Sequence, residues 1–230
     1  MTKPYYKLNF PVPTDKLLSP TFTLPVTQFD TNNPYIPVEK DAFGNALNCS
    51  SHNRWIHRFS GPLSGQQYVP ILDILSTELV EYMESLGFDI GCIFIFYACP
   101  GSWPGGIHAD WGNTTTGKDA NFAINWTLGA PGGSSMIWYE PIDTTVDDSG
   151  WPINATPAAL AYPIPTWNKK YVREIARYSI NGPTLVRTDI PHNAVNYSKV
   201  PRWCFSIRTN WHINNWQEAV DKFSNICIEE

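Results

Sequence analysis

The spacing of apolar residues changes once along this chain, from a helical period to a strand period. Over residues 70–86, Ile71, Leu72, Leu75, Leu79, Met83 and Leu86 fall at helical spacing and mark one face of a helix. Pro70 suits a first turn, where a missing N–H costs nothing, and Gly87 is placed to stop the helix. This pattern predicts a scaffold helix packed against a sheet.

After it the period is that of strands. Residues 91–98, with Cys-Ile-Phe-Ile-Phe-Tyr inside, form an unbroken aromatic and β-branched run, the mark of a strand buried on both faces. Further strands are predicted over 107–111, 121–128, 135–139, 171–180, 184–188, 192–196 and 202–209. Ala130-Pro-Gly-Gly133 and Asn181-Gly-Pro183 read as turns. Residues 140–167, rich in Pro and carrying Asp143, Asp147 and Asp148, read as a long loop and a candidate lid. Residues 1–65 have Pro and turn residues at short intervals, which predicts an irregular arm with a few strands. Residues 215–224 predict a short closing helix. No internal repeat appears, so solenoids and propellers are excluded. The sum is one mainly β domain over residues 1–230, a jelly-roll-like double sheet with its core at 88–211.

Composition narrows the function classes. At 230 residues, 43% hydrophobic and with 10 Trp, the chain can bury a full core, and disorder is excluded. A net charge of -5 gives no basic face for duplex nucleic acid. Lys169, Lys170 and Arg173 read as a solvated strand edge. The five cysteines include no CxxC, and Cys92 and Cys99 are too far apart for a redox pair. The start lacks the apolar region of a signal peptide, and no apolar run has the length of a membrane span. The expectation is a cytoplasmic protein with free thiols, in which Asn48-Cys-Ser50 and Asn154-Ala-Thr156 are chance sequons.

Candidate chemistry begins at Gly106-Ile-His-Ala-Asp-Trp111. On a strand, residues two apart face the same side, so His108 and Asp110 project together. An imidazole and a carboxylate so placed can hold adjacent positions on a metal. The plain alternative is a surface turn with a hydrogen-bonded histidine. Later, a turn over Asp189–Pro191 leads into His192, which would supply a third ligand. Two histidines and one carboxylate leave three positions open on Fe(II). A closed zinc site would want a fourth ligand, and no Cys or His is spaced to give it.

Ten positions after His192 comes Arg202, in Pro201-Arg-Trp-Cys-Phe-Ser-Ile-Arg208. Arg202, Cys204, Ser206 and Arg208 share one face of the last strand, with Trp203, Phe205 and Ile207 on the other. An arginine facing into a core must be paired. A dicarboxylate would pair it through a bidentate fork, and an internal salt bridge is the plain alternative. His52, His57 and His212 read as surface or locally bonded residues. Trp111, Trp126, Trp138 and Trp203 read as core or pocket wall, with Trp111 a candidate substrate contact.

The HxD pair, a late histidine opening a strand, and an arginine ten residues on followed by an inward serine resemble the Fe(II)/2-oxoglutarate-dependent oxygenases. The resemblance covers about residues 88–211. His-Ala-Asp-Trp, Phe122-Ala-Ile-Asn-Trp-Thr127 and the Pro191-His-Asn-Ala-Val-Asn196 stretch look most like small microbial and phage-type members. The aspartyl/asparaginyl and prolyl hydroxylases are more distant. The resemblance implies a double-stranded β-helix, cupin-like, with iron on His108, Asp110 and His192. It implies 2-oxoglutarate held at its distal carboxylate by Arg202 with help from Ser206.

Arg208 is an alternative partner for that carboxylate or a substrate contact, and Tyr97 and Asn125 are further candidate cosubstrate contacts. Tyr97 and Gly101 match only loosely the Tyr and Gly that precede HxD in the family. A carboxylate at 110 argues against halogenase chemistry. The activity implied is hydroxylation of an unactivated C–H bond in a small molecule, amino acid or peptide side chain, with ascorbate as a supporting reductant. Two other classes stay open: a non-catalytic cupin-like metal or ligand binder, and a zinc hydrolase using the same triad.

Overall fold

The computed structural model describes residues 3–22, 48–49, 54–59, 72, 74–88, 90–98, 106–110, 122–129, 132–157, 164–200, 202–209 and 216–228. Its elements in chain order are β1 (Tyr5–Leu8), β2 (Asn48–Cys49), β3 (Arg54–Phe59), α1 (Thr77–Ser85), β4 (Ile90–Ala98), β5 (Ile107–His108), β6 (Phe122–Gly129) and β7 (Ser134–Pro141). There follow β8 (Ala155–Pro157), β9 (Pro165–Trp167), β10 (Val172–Tyr178), β11 (Thr184–Arg187), β12 (His192–Asn196), β13 (Arg202–Thr209), α2 (Trp216–Phe223) and β14 (Cys227–Ile228). The protein is mainly β, with two antiparallel sheets and few helices.

One sheet has the order β14-β1-β11-β6-β13-β4-β3-β2, and the other β10-β7-β12-β5-β9-β8. From β4 to β13 the chain crosses repeatedly between them. β4 lies in the larger sheet, β5 in the smaller, β6 in the larger, β7 and β10 in the smaller, β11 in the larger, β12 in the smaller and β13 in the larger.

The alternation of side chains along β13 and β6 builds two layers at once. Trp203, Phe205 and Ile207 join Phe122, Ile124 and Trp126 on the outer face of the larger sheet, where they pack with Leu79 and Met83 of α1 and Trp216, Ala219 and Phe223 of α2. Trp126 and Phe205 stack at 5.1 Å, and Phe88 stacks on Phe223 at 4.2 Å. The opposite face carries Arg202, Cys204, Ser206 and Asn125, all buried. Between the sheets Ala123 and Val186 meet Met136 and Trp138.

Several expectations are corrected. The helix starts at Thr77, not near Pro70, because Ser76 caps it through Leu79 N–H while Leu75 bridges to Leu18. Ser19 N–H and Ser76 N–H bond Ile74 O and Leu17 O, so the arm claims the backbone that a first turn would need. Leu72 is accordingly 51% exposed and takes no part in the apolar stripe. Gly87 ends the helix as expected, at φ 78.

The described part of the arm at 1–65 holds three strands, β1, β2 and β3. β1 pairs with β11, and β3 pairs with β4. The stretch 140–167 is not one loop: it opens in β7 and contains β8 and β9. β10 is an edge strand, and there Arg173 pairs with Glu140, in keeping with a solvated edge. Pro70, Ile71, His52, Cys99, Gly101, Trp111 and His212 lie outside the described residues, as do the side chains of His57, Cys92 and Tyr97.

Candidate metal centre

The smaller sheet aligns the histidines. His192 stands in register with both Trp138 on β7 and His108 on β5, and His108 stands opposite Thr166 on β9. Residues paired in register share a face. Trp138 faces the space between the sheets, so both histidines do too. Their ring centroids are 4.7 Å apart.

β5 ends at His108, three residues earlier than the pattern predicts. Ala109 N–H instead bonds Pro165 O, and Asp110 N–H bonds Thr188 O at 2.7 Å. The alternation survives this. Ala109 is buried in the outer cluster of the smaller sheet, and Asp110 turns inward beside His108. Each of His108, Asp110 and His192 offers one donor atom within 4.8 Å of the others. His108 Nε2 and Asp110 Oδ1 are 3.4 Å apart, near the roughly 3 Å between adjacent ligand atoms on an ion with bonds of about 2.1 Å.

Both rings are oriented in the same way. His108 Nδ1 donates to Gly106 O and His192 Nδ1 donates to Ile190 O, each at 2.9 Å. A carbonyl can only accept, so the proton sits on Nδ1 and the Nε2 lone pair is left for a metal. A side chain at Gly106 would bring a Cβ to 2.9 Å from Thr166 Cγ2, so any larger residue there would push the Thr166 side chain aside where β9 meets β5.

Asp110 is held from the other sheet. Arg208 Nη2 donates to its Oδ2 at 2.6 Å, and Arg208 Nη1 also donates to Thr188 Oγ1 and Phe122 O. One carboxylate oxygen is thereby engaged, and Oδ1 faces His108. Burial alone would push the Asp110 carboxyl up. The Arg208 guanidinium, with the adjacent His108 and His192 imidazoles, outweighs it and holds the group well below the usual carboxylate range.

Burial, and then the neighbouring His108, push His192 down to about 4 against the pull of Asp110. Unfolded histidine titrates near 6.5, so below that pH the unfolded chain binds the proton that the folded one refuses. In chelator-treated protein His192 therefore withdraws stability as pH falls from about 6.5 to 4, by at most about 3 kcal/mol, and adds no further loss below. Urea unfolding across that window should show a smaller fall for His192→Asn than for wild type. Equal slopes would overturn the assignment.

The contact between Arg208 and Asp110 also shows what the inner face of β13 looks onto. Arg202 lies on that same face, 3% exposed. Among the described residues no hydrogen bond or ion pair engages it, and its Nε is buried without a partner. Ser206 Oγ and Asn125 Oδ1, cross-strand neighbours on that face, are buried and unpartnered as well. Asn125 Nδ2 reaches Met136 Sδ at 4.0 Å. Tyr97 stands opposite Trp203 in β4. Arg208, an alternative carboxylate partner by strand parity, is placed against Asp110. Thr188 and the pair Arg187–Asp189 also border the site, and strand periodicity gives no sign of them. The only sequence signal for the pair is two opposite charges two residues apart ahead of Pro191-His192.

No family model matches the chain, and no curated protein matches it. Among solved structures, it is similar to one titled "X-Ray structure of E. coli ycfD", with a TM-score of 0.34 and 12% identity over 64% of this chain and 33% of that one. The chain thus spans about a third of that protein's length. A second, "The structure of OsALKBH1", has a TM-score of 0.37 and 8% identity over 67% of this chain and 78% of that one. Likenesses this remote do not bear on the chemistry of this chain; the geometry of its site does.

Proposed function

We propose that this chain is an Fe(II)- and 2-oxoglutarate-dependent oxygenase built on a double-stranded β-helix. The repeated crossing of the chain between the two sheets from β4 to β13 supports that architecture. His108, Asp110 and His192 would hold the metal, presenting two imidazole nitrogens and one carboxylate oxygen.

The observation that carries the reading is the buried guanidinium of Arg202, which no described residue engages. An uncompensated buried charge is costly, so an anion is called for, and the inner face of β13 looks toward the metal ligands. Arg202 would grip the distal carboxylate of 2-oxoglutarate as a fork, with Ser206 donating to it. Asn125 lies beside Ser206 as a further polar contact. A non-catalytic binder would have Arg202 engaged by an internal acid, and none reaches it among the described residues.

His108, Asp110 and His192 would hold the iron and Arg202 the 2-oxoglutarate, and together these groups would supply the oxidising chemistry for hydroxylating a C–H bond with O2. The chain's residues orient and shield. The Nδ1–H bonds aim the histidines, Arg208 fixes Asp110, and Trp138 walls the inner space. β9 supplies a fixed wall beside His108 within the stretch expected as a lid. The substrate is proposed as a small molecule, amino acid or peptide side chain.

The test is an anaerobic titration of Fe(II)-loaded protein with 2-oxoglutarate, read by the visible charge-transfer band of the chelate. A saturable band is expected. Its absence in folded, iron-bound protein would sink the 2-oxoglutarate assignment.

A further inference from the structure

We propose that the ion pair Arg187–Asp189 is a positioning clamp that sets the geometry of the metal centre. The inference rests on the metal-binding reading of His108, Asp110 and His192.

The chain from β11 to β12 passes from one sheet to the other in four residues, Thr188 to Pro191. Three contacts to the site originate in them. Thr188 O accepts the backbone N–H of Asp110 at 2.7 Å. Thr188 Oγ1 accepts from Arg208, the residue that grips the Asp110 carboxylate, at 3.2 Å. Ile190 O accepts from His192 Nδ1 at 2.9 Å and orients the ring. The same turn anchors β7 through Pro191 O, which accepts Tyr139 N–H. Its shape therefore sets one ligand's backbone, that ligand's guanidinium partner and another ligand's ring.

Thr188 to Pro191 have no place in a strand ladder, so sheet pairing does not fix this shape. The clamp does. Arg187 Nε donates to Asp189 Oδ1 at 2.6 Å, and Nη2 donates to Oδ2 at 3.1 Å. That is a planar two-point fork, which resists rotation as a single bond would not. Its root is rigid. Arg187 stands opposite Phe122 in register, its N–H bonds Pro4 O, and its carbonyl accepts Trp138 Nε1 at 2.8 Å. Pro191 adds a second restraint by confining Ile190 to extended backbone. With both charges partly exposed, the pair contributes little to global stability. Its effect should appear in metal affinity.

The experiment titrates chelator-treated full-length protein with Co(II), reading the visible ligand-field spectrum and competition with a chromophoric chelator. Wild type is compared with Arg187→Ala, Arg187→Lys and the near-isosteric Asp189→Asn. Losing a partner that orients a ligand typically weakens metal binding 10–100-fold, so Arg187→Ala and Asp189→Asn should bind Co(II) about tenfold more weakly. Their band shapes should change while the metal-free thermal midpoints stay near wild type. Arg187→Lys, which keeps the charge but not the fork, should recover part of the affinity and less of the spectrum. Wild-type affinity and spectrum in the variants would overturn the clamp and leave the metal site standing. Lower thermal midpoints with unchanged affinity in the folded fraction would also overturn it, as a merely structural pair. No Co(II) binding by wild type would overturn the metal reading, and the clamp with it.

Discussion

Asp110→Asn is expected to abolish stoichiometric Fe(II) binding and, separately, to destabilise the metal-free protein. Of the three described donors, the anionic one is lost. The change removes a ligand itself, so affinity should fall by more than the roughly 10–100-fold typical of losing an orienting partner. The stability loss has a different origin. Arg208 is 15% exposed and holds Asp110 Oδ2 at 2.6 Å, and asparagine takes the Asp110 charge away from that guanidinium. Breaking a fully buried pair by removing one partner costs about 3–5 kcal/mol, and partial solvent access here reduces this to about 1–3 kcal/mol. Isothermal titration with Fe(II) under nitrogen reads the first effect, and urea unfolding in chelator reads the second. Retained tight binding would remove Asp110 from the ligand set. Unchanged stability would mean that the ion pair carries no net weight.

For Arg202→Met the two effects should have opposite signs. Methionine matches much of the arginine stem and removes a buried charge with no partner among the described residues. Replacing unfavourable buried ionic groups by apolar ones of similar volume is often stabilising by about 1–4 kcal/mol, and the lower half of that range is expected in the absence of ligand. 2-Oxoglutarate should show the reverse. Truncating one side of a buried charge pair costs about 2–5 kcal/mol of binding, so half-saturation of the charge-transfer band should rise at least about thirtyfold, with iron affinity unchanged. Saturating 2-oxoglutarate should then raise the unfolding midpoint of wild type but not of the variant. A variant less stable than wild type without ligand would show that Arg202 has an internal partner. The non-catalytic binding protein would then be the better reading.

Much of this site was legible because strand parity is a local property. His108 and Asp110 are two apart, and their shared direction follows from the pleat even though the ladder stops at His108. The same parity put Arg202 and Ser206 opposite Trp203 and Phe205, and the core divides as it predicts. β12 and β13 begin and end where the pattern placed them, since their apolar runs are bounded by turn residues. Helix α1 was less legible at its start. Ile71 and Leu72 continue the apolar period, but Leu17 and Ser19 take the backbone bonds that would extend the helix.

Local pattern therefore sufficed for the apolar and polar faces of the strands, the likeness of the HxD and late-histidine pattern to an iron site, and the inward arginine. Which charges meet was settled only when the sheets packed. Arg208 reaches Asp110 across 98 residues of chain, while Arg202, on the same face of the same strand, has no acid within reach among the described residues. Packing also set β9 beside β5 in a stretch that reads as a loop, and folded Thr188 to Pro191 so that their carbonyls point at two ligands. The physical reason is one of range. The direction of a side chain follows from backbone geometry over two or three residues. The partner it finds depends on how two sheets, built from strands distant in sequence, pack face to face.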